Sequence, residues 1–227
     1  MNTSVLILAA GPEVRGWKHE HPKHLAIIEG KPLVLRTLEQ LKERGYDDNV
    51  VVVTKHSAIK RVVPRHFEPA SSRWRSETLL STQELWADRT IVIHGDTIFS
   101  PAAMDFIVAE QGPLALISVG DRVHTEALVF TAEVQDKVRD AAIIATSMGD
   151  AGKVAPLPKR SSIPNKYHLG GRYMHWAFYR ALSGLPIEKL TDRVFTKRIH
   201  RVLHQDYTCD IDSPQKYAAF RKRHKWA

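Results

Sequence analysis

Three observations predict an α/β fold built around a layered sheet. Apolar runs of strand length recur at residues 4–8, 49–54, 90–94, 114–119 and 128–131. Segments of helical spacing fall between them, the alternation expected of strands covered by helices. The first run ends in Ala9-Ala10-Gly11, small residues at a strand's end, where open α/β sheets place their ligands and a backbone can approach a phosphate closely.

The elements follow in order. After the first strand comes a polar loop with Arg15, Pro22 and Lys23, then Gly30-Lys31-Pro32. Leu33, Val34, Leu38 and Leu41 recur at helical spacing; Pro32 suits a first helical turn and Gly45 a stop. Residues 77–87 read as a second helix ahead of the strand at 90. Ser100-Pro101 supplies a cap and a first-turn proline for a helix running to about residue 110. Residues 149–166, with Pro156, Pro158, Pro164 and Gly152, read as a long, partly extended loop. Ser213-Pro214 opens a last helix that turns Tyr217 and Phe220 inward. There is no internal repeat or interdomain linker, so one domain over residues 1–227 is the expectation.

Composition narrows the function classes. Apolar content of 43% and charged content of 26% are ordinary for a soluble globular protein. The one cysteine, Cys209, excludes an internal disulfide framework and fits a reducing compartment. The first apolar run has no basic segment before it and is too short for a signal or membrane helix. The cytoplasm is therefore the expected location, with no membrane partner. The net charge of +8 is densest at Arg221-Lys222-Arg223-His224-Lys225. A short basic tail is more often a solvated helix end than a nucleic-acid arm. The remaining charge serves equally to attract a small polyanion.

Several residues could carry chemistry. Arg15 and Lys23 could neutralise an anion held by the 9–11 loop, one by a bidentate fork and one as a point charge. Asp96 follows the third apolar run and Gly95, and its hard oxygens suit Mg²⁺; Gly95-Asp96 alone would equally make a turn. In Asp210-Ile211-Asp212, strand alternation puts both acids on one face and Ile211 opposite. Those acids would also suit the start of the next helix. His19, His21 and His24 surround Pro22-Lys23, but with no paired cysteines they do not make a structural zinc site.

Taken together, Leu8-Ala9-Ala10-Gly11, Arg15, Pro22-Lys23, Gly30-Lys31-Pro32-Leu33, Gly95-Asp96 and Asp210-Ile211-Asp212-Ser213-Pro214 form an ordered set. The set resembles the nucleotidyltransferases with a glycosyltransferase-A-like fold. That superfamily includes sugar-1-phosphate nucleotidyltransferases, phosphocholine cytidylyltransferases and molybdenum-cofactor nucleotidyltransferases. The resemblance implies a three-layer αβα sandwich with a mostly parallel, mixed, Rossmann-like sheet. It implies that Leu8, Ala9, Ala10 and Gly11 line the nucleotide and that Arg15 and Lys23 hold its phosphates. Asp96 and Asp212 become the metal carboxylates, supported by Asp210, with Mg²⁺ as cofactor. Arg75, Ser76, Glu77 and Ser81 occupy the place where relatives contact base and phosphates, and Lys159, Gly170 and Gly171 the place of acceptor contacts. The chain departs from the family pattern at Glu13, where the loop usually has a second glycine.

The reaction so implied joins an NTP to a phosphorylated small molecule, releasing pyrophosphate. Residues 75–81 lack the Pro-x-Gly-Thr-Ala run of hexose-1-phosphate enzymes, which favours a pyrimidine, CTP ahead of UTP, and an acceptor such as phosphocholine or a sugar phosphate. Two alternatives stand beside it. A nucleotide-sugar-dependent glycosyltransferase would share the fold, but normally carries Asp-x-Asp where this chain reads Asp96-Thr97-Ile98. A non-catalytic nucleotide- or nucleic-acid-binding module would fit Glu13 and the basic tail. The oligomeric state is left open.

Overall fold

The computed structural model describes residues 1–11, 21–119, 125–151, 177–185, 198–204, 206–211 and 214–223. Its centre is a seven-stranded sheet. The strands of this sheet are β1 (Thr3–Leu8), β4 (Val50–Val53), β5 (His66–Phe67), β6 (Arg89–His94), β8 (Leu114–Val119), β9 (Thr125–Thr131) and β10 (His200–Leu203). They lie in the order β10-β8-β9-β6-β1-β4-β5. Every neighbouring pair is parallel except the two made by β9, which runs against β6 and β8. This is the expected mostly parallel, mixed α/β sheet. Two short pairs complete the strands: β2 (Ile27–Ile28) with β3 (Lys31–Pro32), and β7 (Thr97–Ile98) with β11 (Cys209–Asp210).

Both faces of the sheet are covered, which explains why β4 reads Val-Val-Val-Val without alternation. On one face, Val5, Ile7, Ile91, Ile93 and Ile117 pack against α1 (Leu33–Lys42), α2 (Ser57–Lys60) and α4 (Pro101–Ala109). On the other, Leu6, Val92, Leu116 and Leu128 pack against α3 (Arg75–Leu80), α5 (Gln135–Asp150) and a helix, α6, described over 177–182. Each of these buried aliphatic side chains contributes roughly 1.5–3 kcal/mol by leaving water. A third, small cluster of Ile28, Leu33, Ile98, Ile211 and Phe220 seats the last helix, α7 (Pro214–Arg223). Phe220 is buried there and Tyr217 packs against the cluster, as expected.

Local chemistry sets the boundaries. Ser100 accepts the Ala103 amide at 2.9 Å and caps α4, whose first residue is Pro101. Gly45 stops α1 at φ +81°, a conformation that costs a residue with a Cβ. Pro32 differs slightly from expectation: it pairs with Ile27 in the β2–β3 hairpin, and α1 begins after it. The helix expected over 77–87 is a correction. It is α3, which starts at Arg75 and ends at Leu80, followed by a short 3-10 turn at Gln83–Leu85. The hydroxyls of Ser81 and Thr82 donate back to the Glu77 and Leu79 carbonyls, which breaks the helix there. Residues 49–54 and 128–131 are β4 and β9, the latter three residues longer at its start. Beyond residue 151 the expected 149–166 loop lies outside the described residues. Among the described residues no helix is long and apolar enough to cross a membrane.

Candidate active site

The parallel strands β1 and β6 end side by side, with Leu8 opposite His94. Directly beyond, the Gly95 amide donates to the Leu8 carbonyl at 2.9 Å. A Cβ on Gly95 would stand 3.0 Å from that carbonyl oxygen and 3.1 Å from both Ala9 Cβ and His24 Cδ2. The glycine is thus required by close approach of chains, and it delivers Asp96 to the carboxyl end of the sheet. Ala9 and Ala10 are buried at the same end. The Ala9 amide donates to Val53 O at 2.8 Å, the Thr54 hydroxyl to Ala9 O at 3.1 Å, and His56 Nε2 lies 3.2 Å from Gly11 O. The loop's entrance is therefore held by β4 and the residues after it.

Pro22 leads into a tight turn, Lys23–Leu25, which aims the Lys23 ammonium at the Asp96 carboxylate. Their side chains are only 12% and 14% exposed, so water screens the pair weakly. Burial opposes a charged Asp96, but Lys23 foremost, then Arg75 and the imidazoles of His24 and His94, hold the carboxyl far below its ordinary range. His24 is buried against Gly95, and burial pushes its pKa down to about 4, so the ring is neutral near pH 7.

The second acidic motif arrives on β11. Asp210 pairs with Thr97 in an antiparallel bridge, and the Ile211 amide donates to the Asp96 carbonyl at 2.9 Å. Ile211 is fully buried, as alternation predicted. The Asp210 carboxylate accepts from Lys216 at 3.1 Å. Asp212 itself, with Arg15, Glu13, Lys159, Gly170 and Gly171, lies outside the described residues. Among the described residues no three His, Cys, Asp or Glu side chains gather as a metal site. Backbone pairing carries the second acidic motif to the sheet end that bears Asp96, and carboxylate oxygens are hard donors that suit Mg²⁺ better than zinc.

Residues 75–81 divide. Arg75 and Ser76 line a cleft of about 430 Å³, open to solvent, together with Leu8 at the end of β1. Arg75 Nη1 lies 2.8 Å from His94 Nε2. Glu77 and Ser81 instead turn to their own loop. Glu77 accepts from the Ser71 hydroxyl at 2.6 Å, from the Trp74 amide at 3.3 Å and from Arg73; Ser81 Oγ lies 3.4 Å from the Ser71 amide. Neither lines the cleft among the described residues.

Three further residues join the site that the sequence did not single out for it: His94, Tyr179 and Glu126; His24, already noted beside Lys23 in the sequence, is buried against Gly95 rather than facing solvent. Tyr179 is buried beside the cleft and hydrogen-bonded to Arg75, and burial pushes its phenol up. Glu126 is buried on β9 and accepts from Thr97, the residue after Asp96, at 3.1 Å. Only tertiary packing brings these side chains here. The one local signal is that His94 ends the strand that carries Asp96.

Comparison with known proteins bears on the family and the fold. A MobA-like NTP transferase domain matches residues 5–155. CTP:phosphocholine cytidylyltransferase from Streptococcus pneumoniae shares the fold at a TM-score of 0.62 and 16% identity, covering 99% of this chain and all of that one. CMP:2-keto-3-deoxy-manno-octonic acid synthetase in complex with CTP has a TM-score of 0.59 at 13% identity, covering 99% of both chains. The inositol-1-phosphate CTP transferase from T. maritima has a TM-score of 0.54 at 13% identity, covering 98% of this chain and 96% of that one. No curated protein sequence matches the chain.

Proposed function

As a member of the MobA-like NTP transferase family, this chain is a nucleotidyltransferase, and we propose that it is a Mg²⁺-dependent one. It joins a pyrimidine NTP, CTP ahead of UTP, to a small phosphorylated acceptor and releases pyrophosphate. The observation that carries the reading is the shielded Lys23–Asp96 pair at the ends of β1 and β6, set against the Ala9–Gly11 loop. That position is where ligands of open α/β sheets bind.

In this reading Leu8, Ala9, Ala10 and Gly11 line the nucleotide, and Lys23, with Arg15, neutralises its phosphates. Asp96 and Asp212, with Asp210 in support, would hold the metal, which would supply positive charge to offset that of the phosphates. Lys23 shares Asp96 in the free protein and turns to the triphosphate once substrate enters. An acceptor phosphate is already largely anionic near neutrality, its second pKa being about 6, so no general base is needed. Alignment and charge neutralisation carry the rate. Lys159, Gly170 and Gly171 complete the acceptor side. The pyrimidine preference rests on the short 75–81 segment, and the similarly folded proteins named for CTP accord with it. A single domain and a cytoplasmic location belong to the same proposal.

Titration with each of the four NTPs in Mg²⁺, followed by pyrophosphate release with a panel of phosphorylated acceptors, tests the reading. Tight CTP or UTP binding with acceptor-dependent release is expected. A preference for ATP or GTP would overturn the base, and no release with any pair would overturn the reaction.

A further inference from the structure

Helix α1 carries a charge on its buried face. Arg36 is 7% exposed and sits among Leu33, Thr37, Gln40 and Leu41, all buried. An arginine is rarely so deep unless it is paired, because the guanidinium loses its water there. Here the partners come from three separate segments. Arg36 Nε donates to the Glu29 carboxylate at 2.8 Å and Nη1 to the Phe99 carbonyl at 2.7 Å, and the Tyr207 hydroxyl accepts a further bond. Gln40, one turn on, donates to the same Phe99 carbonyl at 3.3 Å.

Each of these segments leads to or from a residue of the proposed site. Glu29 follows Lys23 by six residues, Phe99 follows Asp96 by three, and Tyr207 precedes Asp210 by three. Neighbouring bonds reinforce the joint. The Ser100 amide donates to the Thr208 hydroxyl at 2.9 Å, the Ser100 hydroxyl to Asp206, and the Thr208 amide to Asp206 at 2.7 Å. The Tyr207 ring lies beside Phe220 on α7, their centroids 6.2 Å apart. Tyr217, on the same helix, donates to the Ile27 carbonyl of the β2–β3 hairpin at 2.6 Å.

The turn that presents Glu29 is built against its usual chemistry. Ile28 pairs with Lys31, so the hairpin turns on Glu29-Gly30, with φ of +53° and +79°. That is a type I′ turn, left-handed at both central residues, and it favours Asn-Gly or Asp-Gly. A residue with a longer side chain is disfavoured at the first position. What Glu29 adds is reach: its carboxylate extends from the turn to Arg36. Backbone strain retained beside a site points to a role in that site.

Resting on the nucleotidyltransferase reading above, we infer that Arg36 is a positioning residue for the reaction. It ties the hairpin behind Lys23, the chain behind Asp96 and the segment leading to the second acidic motif into one unit. Cation and acids are thereby held in one spatial relation to the phosphates. Arg36 touches no substrate; it acts through Glu29, Phe99 and Tyr207. A misplacement of about 1 Å in such a support can cost on the order of a hundredfold in rate.

The test cuts one arm at a time and leaves the buried Arg36 in place. Glu29→Asn suits the turn but drops the reach to Arg36; Tyr207→Phe keeps the ring beside Phe220 and drops the hydroxyl. Amide hydrogen exchange without NTP reads the coupling, and pyrophosphate release reads its use. Glu29→Asn is expected to speed exchange across residues 206–211 about threefold or more, and Tyr207→Phe to do the same across residues 26–32, with β1 and β6 unchanged. Each variant is expected to lower kcat about fivefold or more while the KM for NTP stays within about twofold. Exchange that changes only in the segment carrying the substitution overturns the coupling, whatever the rates. Faster exchange in the other segment with normal kcat makes the network a structural brace and overturns the positioning role. A wild-type chain that releases no pyrophosphate with any NTP and acceptor fails the underlying reading itself. That result is distinct from both, and exchange still decides the coupling.

Discussion

The two ends of β6 both bury charge, and they do so in opposite ways. At the amino end, Arg89 is 2% exposed and donates to the Glu110 and Val108 carbonyls and to the Tyr46 hydroxyl, at 2.6–3.2 Å. Its partners are mostly fixed backbone at the carboxyl end of α4, where a cation also complements the helix dipole. At the carboxyl end, Asp96 meets side chains that can change partner: Lys23 directly, with Arg75 and His94 close by. One end is satisfied by groups that cannot move away; the other holds a carboxylate and cations that a ligand can re-pair. Burial of charge is common to both, so burial alone does not mark the site. In the proposed function, exchangeability of the partners does.

The largest expected effect outside catalysis breaks the fixed end. Arg89→Met leaves the part-buried Val108 and Glu110 carbonyls and the Tyr46 hydroxyl without their donor, at roughly 1–2 kcal/mol each, so a loss of about 3–5 kcal/mol is expected. Turnover per folded molecule should be unchanged; chemical denaturation with parallel rate measurements checks both. A smaller effect sharpens the exchangeable end through pH. The His24 pKa is lowered to about 4 in the fold from an ordinary value of 6.5, so between those limits the unfolded chain binds more protons. Stability contributed by neutral His24 is present above about pH 6.5 and lost as pH falls toward 4, by about 3 kcal/mol in total. Denaturation midpoints across that window should fall less steeply in His24→Leu than in the wild type. The smallest effect is expected at Lys31, whose exposed pair with Glu39 is screened by water. Lys31→Ala should shift stability by less than about 0.5 kcal/mol and leave turnover intact, as measured by melting and by rate.

How far the sequence carried the reading follows from the same physics. β1, β4, β6 and β8 were legible because strands buried on both faces are continuous apolar runs. The start of β9 was hidden because Thr125 and Glu126 are polar, yet both are buried. α5 was not recognised. Its core face is Val138, Ala141, Ala142 and Ala145, while Ile143 and Ile144 stay 46% and 43% exposed, which blurs the helical period. At the site, Lys23 and Asp96 could be named from strand-end position and motif order. The roles of His24 and Tyr179 could not, since they come from contacts with Gly95 and Arg75 that no local spacing encodes. Glu77 and Ser81 sat in the expected segment, but the shortness of α3 drew them into its caps.

The most direct test of the account is the rate of pyrophosphate release by Asp96→Asn, measured with its melting temperature beside the wild type. The exchangeable end predicts a loss of turnover per folded molecule on the order of a hundredfold or more, over and above the fall in melting temperature that follows from leaving the shielded Lys23 ammonium without its carboxylate. Near-normal turnover, or a collapse in stability with normal turnover of the folded fraction, would make Asp96 a structural charge like Arg89 and contradict the account.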